Sequence, residues 1–205
     1  MKKRVLRIEF ESAFHHGSGF GLAGIVDRTV LRDTGGVPYL AGSAIKGKFR
    51  HAVLRILLAE GKGGKKACRY GDVAGVCLDE PCAVCLMFGS PYRQGRLRFT
   101  DAYPEGAIRT ALEGVHRATQ GAVFRPDSTV RANTAMDRAR GTAKEHLLFT
   151  TETLPPVIQF SCEIAGELEE EGERLLKEAA MLLTHFGADS SRGLGRAAYK
   201  WVEAA

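Results

Sequence analysis

The order in which two hydrophobic periodicities alternate constrains the fold of this chain more than any other feature. Leu6, Ile8 and Phe10 alternate with charged residues, which predicts a strand with one face on a core. Apolar residues at helical spacing follow, and they predict a helix that Ser43 caps and Gly61 terminates. The chain is therefore expected to begin with a strand and an amphipathic helix.

The same periodicities recur in the second half of the chain. Residues 96–101, 147–151 and 157–164 have the alternation or the β-branched content of strands. Residues 168–186 carry the apolar stripe of a second helix, and residues 197–202 indicate a last strand. Without the irregular stretches, the order is strand, helix, strand, strand, helix, strand, which predicts an α+β fold of the ferredoxin-like type.

Two stretches interrupt this order. Residues 62–92 are irregular and contain cysteines, whereas residues 114–146 are rich in Arg, Thr, Ala and Gly but poor in large apolar side chains. We therefore expect a single domain over residues 1–205 with two insertions. Its 44% of hydrophobic residues are enough for one core.

The charge of the chain favours a polyanionic partner. Its 29 Lys and Arg residues exceed its 24 Asp and Glu residues, and the isoelectric point is about 9.0. Seven Glu residues reverse the sign between residues 163 and 178, so one face should be basic and another acidic. No run of 18 apolar residues occurs, and the first residues lead directly into a strand pattern, so we expect a cytoplasmic protein without a membrane partner.

Four of the five cysteines lie close together in the sequence, and they suggest a metal site. They are Cys68, Cys77, Cys82 and Cys85, of which the last two have the spacing that lets two thiolates bind one tetrahedral ion. We predict a structural Zn²⁺, because four thiolates leave no open position for a substrate. A redox pair or disulfides are the alternatives, and a cytosolic location argues against disulfides. Cys162 lies alone on a strand and is expected in the core.

A glycine-rich segment, residues 187–196, connects the second helix to the last strand. Its glycines would let backbone amides approach a phosphate, and Arg192 and Arg196 add positive charge. The alternative is an ordinary turn between a helix and a strand. The segment does not match a Walker motif, which needs Gly-Lys-Ser/Thr at the start of a helix.

Two histidines and one aspartate are further candidates near the start of the chain. Adjacent side chains at a strand end point to opposite faces, so at most one of His15 and His16 can serve a single site, and one packed and one exposed ring is the simplest interpretation. Asp27 is a single carboxylate in a loop, where such residues are usually caps or surface charges. It becomes chemically interesting only with a partner.

Several segments together resemble the RAMP superfamily of CRISPR-associated proteins. The likeness rests first on residues 36–50, 85–90 and 187–196. Further segments resemble the backbone subunits of type III Csm and Cmr effector complexes, the Csm type in particular; they are residues 24–33, 96–102 and 133–138. Each motif alone is unspecific, but the combination covers nearly the whole chain.

The resemblance implies a modified RNA-recognition fold in a multi-subunit complex. Copies of the chain would stack along a CRISPR RNA together with other type III subunits, and residues 114–146 would form a thumb. It also implies that Asp27 cleaves bound target RNA with Mg²⁺ or Mn²⁺. The RNA-binding residues expected from the resemblance and from the basic and glycine-rich segments are Ser43, Lys46, Arg50, Arg131, Arg138, Arg192 and Arg196.

Two other functions remain open at the level of the sequence. The chain can be a purely structural subunit of the same complex, with no cleavage. It can also be an endoribonuclease that processes precursor guide RNA without a metal, with His15 or His16 as the general acid or base.

Overall fold

A computed structural model gives the fold and describes residues 2–22, 24–62, 77, 81–119 and 125–202. Strand β1 (Lys3–Phe10) lies inside the main antiparallel sheet, between β6 (Gln159–Ala165) and β7 (Ala197–Val202). Two short strands, β2 (Arg98–Phe99) and β3 (Tyr103–Pro104), pair with the other edge of β6.

The main helices are α1 (Gly42–Ala59) and α4 (Glu170–Leu182), which pack against each other. The apolar stripe of α1, including Ile45, Phe49 and Val53, is buried in one core with the inward-facing residues of β1 and β6. This arrangement confirms a mixed α/β protein with antiparallel strands.

The predicted end of α1 is confirmed, but its predicted cap is wrong. Gly61, at φ 70°, donates to the Leu58 carbonyl, which closes the helix through the left-handed conformation that glycine favours. Ser43 lies inside the first turn, and the residue that precedes the helix, Ala41, has no side-chain cap. Instead, the Gly42 amide donates to Asp101 Oδ1 at 2.7 Å.

Other predicted elements are shorter than expected. The strand predicted over residues 96–101 is reduced to the two residues of β2, and the second helix covers Glu170–Leu182 and not residues 168–186. Leu183 already has an extended backbone, so the remaining apolar residues of that stripe pack from a loop.

A separate two-stranded sheet forms the second unit of the fold. It is a hairpin of β4 (Thr129–Asp137) and β5 (Thr142–Thr153), and the strand predicted at 147–151 is part of β5. Helix α3 (Gly106–Ala118), which was not expected from the sequence, runs through residue 114. The stretch taken as an insertion over 114–146 thus contains the end of a helix and most of a hairpin that continues to Thr153.

The predicted insertion over residues 62–92, which contains four of the cysteines, is described only in part. A short helix, α2 (Ala83–Phe88), lies near its end. Of residues 63–80 only Cys77 belongs to the described part of the chain, so Cys68 lies outside it. None of the helices in the described ranges is long and apolar enough to span a membrane.

Candidate functional site

A groove of about 1000 Å³ lies between α1 and the turn that follows α2. We call it the α1 groove. The described residues that line it are Ser43, Lys46, Gly47, Arg50, His51, Leu54, Arg55, Leu58, Phe88, Gly89, Ser90, Pro91, Arg93, Gln94 and Gly95. Residues three and four positions apart share one helix face, so α1 brings Ser43, Lys46 and Arg50 together in this groove. These three are among the residues expected to bind RNA.

The far wall of the α1 groove is a tight turn held by glycine. Ser90 and Arg93 exchange backbone hydrogen bonds, and Gly89 has a φ of 88°. A Cβ on Gly95 would lie 2.4 Å from the Phe88 carbonyl carbon, so the two ends of the turn approach too closely for any side chain. Arg50 donates to the Gly89 carbonyl and fixes the turn against α1.

The positive charge of the α1 groove is not neutralised by its own lining. Helix α1 contains no Asp or Glu, and the described residues that line the groove include no carboxylate. Lys46 and Arg55 form no ion pair with any carboxylate in the described ranges, in contrast to Arg4, Arg32 and Arg174. The groove is therefore suited to phosphates.

Asp27 has a partner that the sequence did not reveal. Its Oδ2 atom accepts hydrogen bonds from the Thr150 amide at 2.7 Å and from the Thr150 hydroxyl at 3.0 Å. The Asp27 amide lies 3.0 Å from the Thr150 hydroxyl oxygen, which accepts from it. These contacts, chiefly the bond from the Thr150 amide, lower the pKa of Asp27, which is solvent-exposed. The carboxylate is thus ionised at neutral pH.

A buried ion-pair network holds the backbone next to Asp27. Glu152 accepts from the Val30 amide at 2.8 Å and from Arg32 at 2.9 Å, and Arg32 also donates to Asp127 at 2.7 Å. Burial works against ionisation of Glu152, but the Val30 amide and Arg32 outweigh it and lower the pKa. The network ties the segment after Asp27 to β5.

The two histidines are both packed, so the expectation of one exposed ring is wrong. His15 is buried, and its Nδ1 lies 2.7 Å from the Glu152 carbonyl. His16 is half-buried, and its Nε2 accepts from the Ala41 amide at 3.2 Å. Burial, helped by His15, lowers the pKa of His16 to about 4. His16 is therefore neutral at physiological pH.

The glycine-rich segment serves the fold of the chain itself. A Cβ on Gly187 would lie 2.2 Å from the His15 carbonyl oxygen, and one on Gly195 would lie 2.0 Å from the Phe186 carbonyl oxygen. These glycines therefore let two segments of the chain's own backbone pack closely together. This is the role expected of an ordinary turn between a helix and a strand, the alternative to a phosphate-binding segment. Arg192 pairs with Asp189, and Arg196 pairs with Glu11.

Arg131 and Arg138 lie far from α1 in the chain, on the β4–β5 hairpin. Arg131 is an exposed residue of β4, and Arg138 follows its last residue in the turn before β5. Neither forms an ion pair with a carboxylate in the part of the chain that the structure describes.

Three of the predicted metal ligands come together. The Sγ atoms of Cys77, Cys82 and Cys85 all lie within 4.8 Å of one another, and the last two residues are buried. Thiolates of a tetrahedral zinc site lie about 2.3 Å from the ion and thus about 3.8 Å apart, so this cluster can hold a metal ion. Cys162 is elsewhere in the core, where burial raises its pKa to about 12, as expected for a packing residue.

Comparison with known proteins identifies the family. The family model of the RAMP superfamily matches residues 7–198, and the chain belongs to this superfamily. Among solved structures, the chain is similar to one from the type III-B Cmr-beta complex bound to cognate target RNA, with a TM-score of 0.65, 12% identity, and 98% of this chain and 97% of that chain covered. The Cmr-beta apo state gives a TM-score of 0.62 at 11% identity, with the same shares of the two chains covered. No curated protein sequence matches the chain.

Proposed function

We propose that this chain is a guide-RNA-binding subunit of a type III CRISPR effector complex. The observation that carries the proposal is the α1 groove, where Lys46 and Arg50 face a cavity whose described lining contains no carboxylate. Contacts of this kind neutralise phosphates without reading bases. Sequence specificity would then come from pairing between the guide and its target.

The topology supports the predicted ferredoxin-like, or modified RNA-recognition, architecture. The sheet order is β2, β6, β1, β7, so β6 separates the parallel strands β1 and β2 while α1 connects them. In this proposal the β4–β5 hairpin is the thumb, and Arg131 and Arg138 contact RNA from it. Copies of the chain and other subunits would assemble along the guide, in the cytoplasm.

Asp27 is proposed to cleave the bound target RNA. In the proposed reaction the ribose 2′-hydroxyl gives its proton to solvent water as its oxygen attacks the adjacent phosphorus. The bond from phosphorus to the 5′-oxygen breaks, the 5′-oxygen takes a proton from water, and a 2′,3′-cyclic phosphate and a 5′-hydroxyl result. A bound Mg²⁺ or Mn²⁺ would supply stabilisation of the negative charge that develops at the phosphate. The lowered pKa of Asp27 makes the carboxylate a better ligand or orienting group than a proton acceptor.

Structural Zn²⁺ is proposed for the cysteine cluster. Cys77, Cys82 and Cys85 are the three ligands that the structure brings together, and Cys68 is proposed as the fourth. The ion would fix the start of α2, which in turn carries the turn of the α1 groove.

Two alternative functions, a subunit without cleavage and a guide-processing ribonuclease, can each be judged from a specific observation. The hydrogen bonds between Asp27 and Thr150 also fit a purely structural aspartate, which favours a subunit without cleavage as the second candidate. Processing of precursor guide RNA by histidine is less well supported, because His15 is buried and His16 has a pKa of about 4.

The test uses the chain co-expressed with the other subunits encoded beside it and with its CRISPR array. Lys46→Ala combined with Arg50→Ala is expected to reduce the guide RNA recovered per complex at least tenfold. A matched control, Lys177→Ala with Lys200→Ala, removes the same charge from α4 and β7 and should leave recovery unchanged. An equal loss of guide RNA in both double variants would show that RNA binding depends on the net charge of the chain and not on the α1 groove.

A further inference from the structure

Gly47 occupies a position in α1 where the fold gives no reason for a glycine. It is an exposed residue of the helix interior, and a Cβ built on it meets no atom of the described residues within 4 Å. Its φ lies outside the positive range that favours glycine. Glycine in a helix interior lowers stability relative to alanine, so the missing side chain weakens α1 without relieving any described contact.

The position of Gly47 between two grooves suggests what the missing side chain provides. A second groove, of about 510 Å³, lies on the other side of α1, against the last residue of α4 and the residues that follow it. Its described lining is Ala44, Gly47, Lys48, His51, Arg55, Leu182, Leu183, Thr184 and His185. Gly47, His51 and Arg55 line both grooves and, four residues apart, form the ridge between them. The ridge is lowest at Gly47.

Both sides of this low point are positively charged. Lys46 and Arg50 line the α1 groove, and Lys48 lines the second groove. The described lining of the second groove contains no carboxylate either. Lys48 forms no ion pair among the described residues and lies 5.9 Å from the centre of the Phe186 ring. A flexible polyanion that follows the positive charge would therefore pass over α1 at Gly47.

We propose that Gly47 is a crossing point at which the sugar–phosphate backbone of single-stranded RNA passes over α1, from the α1 groove into the second groove. Lys48 and His185 would bind the phosphate beyond the crossing. The inference rests on the proposed function and extends it, because it adds a phosphate site on the far side of the helix. Any side chain at position 47 would hold the RNA backbone away from the helix surface.

The test compares two glycines that each lie inside a helix. Gly114 lies within α3, and a Cβ there also meets no atom of the part of the chain that the structure describes within 4 Å. Gly47→Ala and Gly114→Ala should each raise the midpoint of thermal unfolding of the full chain, since each removes a helical glycine. Binding of a labelled polyuridine 20-mer, measured by fluorescence anisotropy at low salt, should weaken about tenfold for Gly47→Ala and remain unchanged for Gly114→Ala.

Lys48→Ala tests the second groove separately. Loss of one phosphate contact should reduce the slope of log affinity against log salt concentration by about 0.7. If Gly47→Ala binds polyuridine with wild-type affinity while Lys46→Ala/Arg50→Ala binds it weakly, RNA does not cross α1 at Gly47. The proposed function would then remain intact. A wild-type chain that binds no RNA would overturn both. If unlabelled polyglutamate displaces the labelled RNA as well as unlabelled polyuridine does, the two grooves bind acidic peptide equally well, which also overturns the inference.

Discussion

Thr150 donates two hydrogen bonds to a single carboxylate oxygen of Asp27, from its amide at 2.7 Å and from its hydroxyl at 3.0 Å. The two residues are 123 positions apart, and the contact joins the loop after β1 to the β4–β5 hairpin. The proposed nucleolytic group is thus positioned by the proposed thumb. Substitutions of Thr150 should therefore affect cleavage through Asp27, without any contact between Thr150 and the RNA.

Thr150→Val is expected to raise the pKa of Asp27 by removing the hydroxyl donor while keeping the backbone donor. If ionised Asp27 is required, the acid limb of target cleavage should move to higher pH, and activity at neutral pH should change little. The pH profile of cleavage by the assembled complex measures this shift. Asp27→Ala should abolish cleavage and retain guide RNA. Cleavage that persists in Asp27→Ala would identify the chain as a structural subunit.

Glu152→Gln is expected to destabilise the fold by about 2–3 kcal/mol, because Arg32 loses the charge of a buried partner. Denaturant unfolding of the full chain measures the change in the free energy of unfolding. Glu113→Gln provides a control, since its pair with Arg109 is more exposed and should contribute less than about 1 kcal/mol. Equal effects of the two substitutions would show that the ion-pair network around Glu152 contributes little to the free energy of unfolding.

The same carboxylate gives a pH dependence of stability. The pKa of Glu152 in the folded chain lies below its ordinary value of 4.5, so its contribution is fully present above that pH. The contribution is lost as the pH falls through the folded-state pKa. The free energy of unfolding should therefore decrease less steeply on acidification below pH 4.5 in Glu152→Gln than in the wild type. If the free energy of unfolding falls with pH in parallel for Glu152→Gln and the wild type, groups other than Glu152 cause the loss of stability in acid.

Asp101→Ala is expected to cost about 1 kcal/mol, because it removes the acceptor of the Gly42 amide at the start of α1. Ser43→Ala should leave the free energy of unfolding nearly unchanged, although Ser43 has the residue type and place of a helix cap. Thermal and denaturant unfolding of both variants measures the contrast. A larger loss in Ser43→Ala would restore Ser43 as the cap.

Removal of the proposed Zn²⁺ should loosen the start of α2. The purified full chain is expected to contain one Zn²⁺, and a paired substitution of Cys82 and Cys85 by Ser should eliminate it and lower the midpoint of unfolding. Cys162→Ser should retain the metal, because this residue lies outside the cluster. Elemental analysis of protein purified without chelator provides the measurement. Well under one zinc per chain in the wild type would contradict the proposed site.

Features that depend on nearby residues could be predicted from the sequence. The helical stripe of α1, its stop at Gly61 and the closely spaced pair Cys82 and Cys85 all follow from spacings within a few positions. The common face of Lys46 and Arg50 follows from the same periodicity. These local patterns predicted the helix and two basic residues, Lys46 and Arg50, that α1 contributes to the α1 groove.

Features that depend on distant contacts could not be predicted. The amide at Gly42 is capped from Asp101, 59 positions away, and no local pattern favours that pairing over Ser43. Helix α3 is an exception, because Ile108, Leu112 and Val115 lie at helical spacing and this local pattern was sufficient to predict it. The glycines of residues 187–196 looked like a phosphate loop, but Gly187 and Gly195 accommodate the chain's own carbonyls.

The central claim is that this chain binds a guide RNA, and the RNA that accompanies the protein tests it most directly. The full chain, purified from cells that carry its CRISPR array and the neighbouring subunits, should contain RNAs with a common end derived from the repeat. Sequencing of that RNA is the measurement. A complex that assembles fully and contains no such RNA, or only random fragments, would contradict the account.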